Sequence, residues 1–527
     1  YFLYSLLRTN VKDLKSNSDQ KHNLYLSKIS VLYCLSSEIN ISEIFKLFEN
    51  YNNQLTVLGL SLLSEVFAGS KNAAKNKDWL LENLPDRINT LNEITELGHN
   101  FVPLTMSYMQ CSYSELKTRH KLKQSIHSYI RRWKVAKELE DISEIISSSN
   151  NLEITNRERK KILVIHEQFA SNHSMYRCFK SLFLILKDNY ELIGLCFNKS
   201  HIDDKSKALF DRHITLDSDK FRYIISNLSE IISKENPDII YYPSIGMSFF
   251  TILTSSYRLA KIQIDTYGHP APTLNQTTDL VIEHEGVCKT ELDPFTKYHF
   301  FPFCHPAFIN TPEVKPKGNW KIISNKNSSS LSACVNIAIS AMPFKITNIF
   351  INIIQTLSNK YKEKIRFIII EAQGSDIIND QIRIVIEKEI LSPFLLIPKQ
   401  PFKKYLQLLS QCEIFLSAYP FGSNNTFLDC IRAGLLGPCL SKSTFPQNIE
   451  RKYYELVGFD TLVSKSINEY IEIASDLIEF ANGTSSISKF IPKNIISPGE
   501  AVELLIAEKN DYKKEINMAI SSVLCNQ

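Results

Sequence analysis

No run of 18 apolar residues occurs in the 527-residue chain, so the sequence offers no candidate transmembrane helix. Charge of one sign is not in excess. With 60 Lys and Arg against 56 Asp and Glu, a formal net charge of +4 demands neither nucleic acid nor a membrane surface, although a modest positive balance suits a phosphate-bearing ligand. Glycine is scarce, at 15 residues, and the glycine-based fingerprints are missing. No GxGxxG follows Ile165, no GxxxxGK[ST] is present, and Ser244-Ile-Gly246 does not complete a GxSxG. A dinucleotide fingerprint, a P-loop and a nucleophile elbow are thereby excluded. The 11 cysteines are odd in number and show no CxxC and no close Cys/His spacing. Cys196, Cys334 and Cys439 lie in apolar runs that read as buried strands. Reduced core thiols of a cytosolic protein are expected, not a disulfide framework or a zinc site, and Cys304-His305 reads as a structural pair. There is no charged n-region with apolar core and cleavage site, and the chain opens on Tyr1 rather than Met, as a fragment would.

What is present is the composition of a folded globular protein, 44% hydrophobic and 22% charged, long enough for roughly three or four domains. Up to about residue 150, apolar residues recur at helical spacing in Ile41–Phe48, Leu55–Phe67 and Ile94–Leu97, so stacked helix pairs are expected, without a fixed-period repeat. The segment Lys117–Lys137 is basic through Arg119, His120, Lys121, Lys123, Arg131, Arg132 and Lys134. It reads as a solvated helix face, or as a surface that touches the catalytic part or an acceptor. A polar linker over 148–161 then closes the helical part.

Beyond the linker, strands alternate with helices. Strands are expected at Ile162–Ile165, Leu192–Cys196, Ile239–Tyr242, Ile262–Ile264 and Leu280–Glu283, with helices at Ser174–Leu186, Phe221–Ser233 and Phe249–Leu259. After Pro312, Pro316 and Lys317 the pattern repeats. Strands are expected at Val335–Ile339, Ile365–Ile370, Leu395–Ile397, Ile414–Leu416 and Cys439–Leu440. Helices are expected at Ile346–Tyr361, Ile378–Glu389, Pro401–Leu409 and Thr426–Ala433, then over 446–457, 466–481 and 498–523. The class is α/β: an all-α domain over 1–155, a Rossmann-like domain over 156–315, and a second Rossmann-like domain with C-terminal helices over 316–527. Ligands in such folds sit at the carboxyl ends of the strands, here in a cleft between the two units.

The stretch Ala418–Gly434 is the most informative. Pro420 and Gly422 break the chain after a short strand, and a helix should begin near Asn425 or Thr426 and end at Gly434. Ser, Asn and Thr are residues that cap helix starts, and a strand, a turn and a helix start can hold an anion. Asp429 lies one turn after Asn425 on the same face, where a carboxylate can hold sugar hydroxyls. The same pattern also suits an ordinary strand–helix junction.

Several stretches taken together resemble the bacterial cytoplasmic N-glycosyltransferases of the high-molecular-weight-adhesin type, in glycosyltransferase family 41, relatives of O-GlcNAc transferase. They are Cys111–Ser114 with Arg119–Lys123, Glu167–Arg177, Tyr241–Met247, Tyr267–Ala271, Met342–Lys345 and Pro420–Asp429, in the family's order. The resemblance implies a GT-B fold and inverting transfer of glucose, less often galactose, from a UDP-sugar to Asn in an Asn-X-Ser/Thr sequon of an adhesin. It implies no metal and no other cofactor, no nucleic acid, no membrane insertion and a cytoplasmic location.

By the same resemblance, Lys345 corresponds to the donor-binding lysine that offsets charge on the departing diphosphate. A cation at a helix start is disfavoured by the helix dipole unless an anion sits there. Asn425 and Asp429, with Thr426 beside them, correspond to residues that contact UDP, and Gln373 to a donor-site glutamine. His173 and Arg177, four apart, correspond to a pair near the acceptor side. His173 can relay a proton or simply cap a helix. His269 corresponds to a second active-site histidine. The chain departs from the family at Lys399, where the family has a donor-site histidine, and at Phe179, Pro272 and Leu274. Two other readings stay open: an O-linked or polymer glycosyltransferase with a different nucleotide-sugar, which Lys399 favours, and a catalytically poor GT-B binding or scaffold protein.

Overall fold

The computed structural model describes residues 40–64, 71–91, 102–133, 136–148, 158–216, 221–266, 268–269, 271–284, 292–294, 296–301, 319–324, 334–370, 376–441, 448–486, 488–506 and 509–524. The expected elements at Ile94–Leu97, most of the polar linker, Cys304-His305, Pro312, Pro316, Lys317 and Gln373 lie outside these residues.

The N-terminal part is helical: Ile41–Leu47, Asn52–Ser64, Lys71–Thr90, Val102–Gln110, Lys121–Arg131 and Lys137–Ser148. Lys121–Arg131 shows why these stretches are helices. Leu122, Ile126 and Ile130 recur every four residues, and all are buried. This part does not close a core of its own. Leu60, Ile126, Ile130 and Leu139 join one apolar cluster with Leu163, Ile193, Ile240 and Leu253 of the unit that follows. Burying both faces together makes the helical part and the first Rossmann-like unit a single packed body.

The first unit is a seven-stranded sheet: β1 (Lys161–Ile165), β2 (Glu191–Cys196), β3 (Arg212–Thr215), β4 (Ile239–Tyr242), β5 (Ile262–Asp265), β6 (Leu280–His284) and β7 (Lys297–Phe301). All pairs are parallel, in the order β3-β2-β1-β4-β5-β6-β7. The two edge strands, Arg-His-Ile-Thr and Lys-Tyr-His-Phe-Phe, were not expected from sequence. Central parallel strands are buried on both faces and read as apolar runs, whereas edge strands carry polar residues. The helix expected over Phe249–Leu259 stops at Thr254, where the hydroxyls of Ser255 and Ser256 turn back to the Ile252 carbonyl at 3.2 and 2.7 Å.

The second unit holds β8 (Val335–Ser340), β9 (Ile365–Ile370), β10 (Phe394–Ile397) and β11 (Ile414–Phe415), parallel in the order β10-β9-β8-β11. A short parallel pair, β12 (Cys439–Leu440) and β13 (Val463–Ser464), stands beside it. The single helix expected over 498–523 is two helices, Pro498–Ile506 and Lys509–Leu524, and they serve different units. Ala501, Val502 and Leu505 fill the second unit's core. Ile516, Ala519, Ile520 and Val523 cross back onto Ile162, Val164, Ile264 and Ile282 of the first. The last helix therefore packs outside the unit in which the 316–527 boundary placed it. Among the described residues no helix is long and apolar enough to cross a membrane.

In both units the strand order reverses beside the first strand, between β1 and β4 and between β8 and β11. Such switch points open a crevice at the carboxyl edge. The segments that leave these four strands carry Glu167 and His173, Gly246, Lys345, and Gly422 with Asn425, while His269 follows β5.

Candidate functional site

In the first unit, Glu167 follows β1 and joins the two loops of the switch point. Its Oε1 accepts from the backbone N–H groups of Gly246, Met247 and Ser248 at 3.0, 2.8 and 2.8 Å and from the Thr251 hydroxyl. Burial pushes this carboxyl up to about 7, against the pull of those donors. His173 ends the same loop and caps the helix Ser174–Asn189, its Nδ1 accepting from Met175 N–H at 3.3 Å. Of its two sequence readings, the capping one is thus visible in the geometry. Burial, and then Lys399, hold His173 below its ordinary value.

The turn at Gly268-His269 comes close for a steric reason. A side chain on Gly268 would stand 2.6 Å from both the Pro243 carbonyl oxygen and the Met175 methyl. His269 is buried, and its Nε2 has no hydrogen-bond partner. Burial, with Lys123 and Lys345 nearby, holds it well below its ordinary value, so the imidazole is neutral. A buried, unpaired ring nitrogen is costly unless a ligand satisfies it.

The basic segment is a solvated face only in part, with Lys121 and Arg132 exposed. Arg119, His120, Lys123 and His127 are all buried. Lys123 Nζ donates to the Pro272 carbonyl at 2.9 Å, and the Tyr108 hydroxyl donates to the Thr273 carbonyl at 2.9 Å while meeting His127 Nε2 at 3.0 Å. The helical part thus holds the segment that follows His269. Sequence polarity alone does not separate a charged face in water from one that pairs with a neighbouring domain's carbonyls.

In the second unit, Lys345 lies in a single 3₁₀ turn, Pro343–Lys345, just after β8. Its Nζ donates to the Gly422 carbonyl at 3.0 Å and lies 4.9 Å over the Phe421 ring. Thr347 Oγ1 donates to the Tyr419 carbonyl at 2.7 Å, tying the loop after β8 to the loop after β11. Gly422 has φ +70° and lies close to the buried Glu450 carboxylate, which accepts from Ser417 and from the Ser423 N–H. The helix Asn425–Arg432 begins as expected and ends in Gly434 at φ +77°. Its start differs from expectation, because Asn424 at the cap position makes no side-chain cap bond and instead accepts from the Tyr453 hydroxyl at 2.9 Å. The first N–H groups of this helix are left without a side-chain cap, as an anion site requires.

The two edges meet. Arg177 NH1 donates to Asp429 Oδ1 at 3.0 Å and NH2 to Oδ2 at 3.3 Å, with the guanidinium 4.8 Å over the Phe402 ring. Cys178 Sγ and Asn425 Nδ2 lie 3.3 Å apart. Tyr113 of the helical part packs on Phe344 and Phe421 at 4.4 and 4.3 Å and reaches His269 at 5.8 Å, while His269 stacks on Phe421 at 5.5 Å. The structure therefore brings Arg177, Asn425 and Asp429 to one seam, places His173 and Thr426 on the two helices that meet there, and sets both His269 and Lys345 against the Phe421 ring. Lys399 is exposed on the rim near His173.

Residues 46–133 match the family described as HMW1 domain 2. The UDP-glucose:protein N-beta-glucosyltransferase of Actinobacillus pleuropneumoniae serotype 5b (strain L20) is 24% identical over 481 residues, covering 89% of this chain and 73% of the relative. The enzyme of the same description from serotype 7 (strain AP76) matches over the same shares. Over most of its length the chain is therefore similar to enzymes described as UDP-glucose:protein N-beta-glucosyltransferases. A Thermobaculum terrenum O-GlcNAc transferase mutant superposes with a TM-score of 0.54 at 14% identity, over 99% of this chain and 98% of that one. The fold is GT-B, preceded by helices, as the resemblance implied.

Three parts of this site were not singled out from sequence. Glu167 and Gly246 lie in stretches that carried the resemblance, but a carboxylate capping a loop 79 residues away leaves no local signal. Glu450 lies in no such stretch. Tyr113 does, but an aromatic ring that spans two domains looks like any core ring until both domains are placed.

Proposed function

We infer that the chain is an inverting, metal-independent protein N-glycosyltransferase. It moves glucose from UDP-glucose to Asn in Asn-X-Ser/Thr sequons of an adhesin-like protein in the cytoplasm. The observation that carries this reading is Lys345 bonded to Gly422 in the loop that leads into the uncapped start of Asn425–Arg432, at a GT-B switch point of a chain similar to enzymes described as UDP-glucose:protein N-beta-glucosyltransferases. The amide nitrogen attacks the anomeric carbon from the face opposite UDP. The bond from that carbon to the diphosphate oxygen breaks, and the nitrogen gives up a proton. Lys345 and the helix N–H groups hold the charge that develops on the leaving diphosphate, doing what a cation does elsewhere. Neutral His269, with Nε2 unpaired, accepts or relays the proton. His173 and Arg177 order the acceptor edge. Asn425, Thr426 and Asp429 hold UDP, with Gln373 as a further donor-site residue. An amide is a poor nucleophile, so positioning and leaving-group stabilisation supply most of the rate.

The test is transfer by purified protein from UDP-glucose, UDP-galactose or UDP-GlcNAc to an Asn-X-Thr peptide with EDTA present, read by mass spectrometry. A hexose on Asn that disappears in Lys345→Ala supports the reading. UDP binding without transfer from any donor overturns it. The exposed Lys399 favours a second reading, a charged donor sugar, which UDP-glucuronate in the same assay distinguishes.

A further inference from the structure

We propose that the carboxyl ends of β1 and β2, with His213 of the neighbouring β3, form a binding site for one zinc-class divalent cation, separate from the transfer chemistry and independent of that reading. His166 directly follows β1, Cys196 ends β2 and His213 lies on β3. One ligand atom from each lies within 4.8 Å of the other two. The strands are adjacent in the sheet, so the three side chains converge although 30 and 17 residues separate them in sequence.

The hydrogen bonding favours a cation here. His166 Nδ1 lies 3.0 Å from the Glu167 carbonyl oxygen, which only accepts, so Nδ1 carries the proton and Nε2 presents its lone pair. That lone pair faces His213 Nε2 at 2.8 Å. His213 Nδ1 has the Thr215 hydroxyl at 3.4 Å, a group that donates or accepts. Without metal, His213 Nε2 must spend its proton on His166. With metal, that proton shifts to Nδ1, the hydroxyl turns to accept it, and both Nε2 lone pairs meet the ion. A carbonyl or hydroxyl behind each ligand imidazole is the usual support for a bound metal. Cys196 gives up its thiol proton to solvent on binding, and its present bonds, to the Asn198 carbonyl at 3.4 Å and the Thr215 hydroxyl at 3.9 Å, are weak.

Space is reserved for the arrangement. A side chain on Gly194, paired with His213 across β2 and β3, would stand 2.4 Å from the His213 ring. Phe210 stacks on His166 at 5.6 Å and Phe169 packs on it at 5.5 Å, so the site is apolar on its flanks. His166 and Cys196 are buried, and half-buried His213 offers the way in. Two imidazoles and one thiolate suit zinc, at about 2.0–2.1 Å to nitrogen and about 2.3 Å to sulfur, with water as the fourth donor. Such an ion ties three neighbouring strands together beside the loop that carries Glu167 and His173.

The experiment uses the full chain, stripped with chelator and titrated with Co²⁺ alone. Expected are one equivalent bound, the visible bands of four-coordinate cobalt and a thiolate charge-transfer band, all displaced by Zn²⁺. Cys196→Ser should remove the charge-transfer band, His213→Gln should weaken binding at least about tenfold by removing a ligand, and Cys334→Ser should change nothing. No stoichiometric cobalt or zinc on the wild-type chain overturns the proposal whether or not the variants fold. So does a spectrum that survives both Cys196→Ser and His213→Gln.

Discussion

Arg177 and Asp429 stand 252 residues apart and close a two-pronged ion pair across the two Rossmann-like units, at 3.0 and 3.3 Å. Burial pushes the Asp429 carboxyl up, while Arg177 and Arg432 pull against it. Burial also opposes the Arg177 charge, but Asp429 outweighs it and the guanidinium stays charged. Removing one partner leaves the other charge buried. Arg177→Met and Asp429→Asn should each lower stability by about 2–4 kcal/mol, and the double variant by clearly less than the sum. Urea unfolding of the four proteins measures the coupling, and additive losses would show that the bridge contributes nothing to joining the units.

Lys345→Ala should lower kcat by about 10²–10³-fold, the usual cost of one charge-stabilising group. Its Gly422 and Phe421 contacts are local, so the melting temperature should move little. Equal loss in Lys345→Ala and Lys345→Arg would point to a positional role.

Lys123→Met removes the donor to the Pro272 carbonyl and frees the segment next to His269. Transfer should fall by roughly tenfold through lost positioning, with UDP affinity unchanged. Calorimetric titration of UDP separates the two effects. Weakened UDP binding in this variant would refute the assignment of Lys123 to the His269 side.

Glu450 is buried, and burial raises its carboxyl to about 7 from an ordinary 4.5. The folded state therefore holds a proton that the unfolded state has lost between these values. The resulting stabilisation is complete below 4.5 and disappears as pH rises through 7. Glu450→Gln fixes the neutral form, so its stability relative to wild type should rise between pH 4.5 and 8, by up to about 3 kcal/mol. Parallel stability–pH curves would contradict this.

A methyl group on Gly437 would stand 1.9 Å from the Phe415 carbonyl oxygen on β11. Gly437→Ala should destabilise by about 1–3 kcal/mol or more, because backbone rather than a side-chain tip must move. A thermal melt suffices, and an unchanged midpoint would mean that β11 shifts freely.

The sequence by itself determined the class, the order of nearly every element and the family likeness. Apolar runs such as Ile365–Ile370 and Ile239–Tyr242 can be little other than buried parallel strands, and the breaks at Pro420, Gly422 and Gly434 bound one helix. Only the tertiary structure decided what the polar residues do. The segment around Lys123 reads as a wet helix face until the Pro272 carbonyl is placed against it. Cys196 reads as a core thiol until β1 and β3 bring His166 and His213 beside it. Asp429 shows no sign in the sequence of its ion pair until Arg177 arrives from the other unit. The physical reason is shared: burial of apolar surface follows a local period along the chain, whereas a buried polar group is defined by its partner, and here the partners lie 17 to 252 residues away.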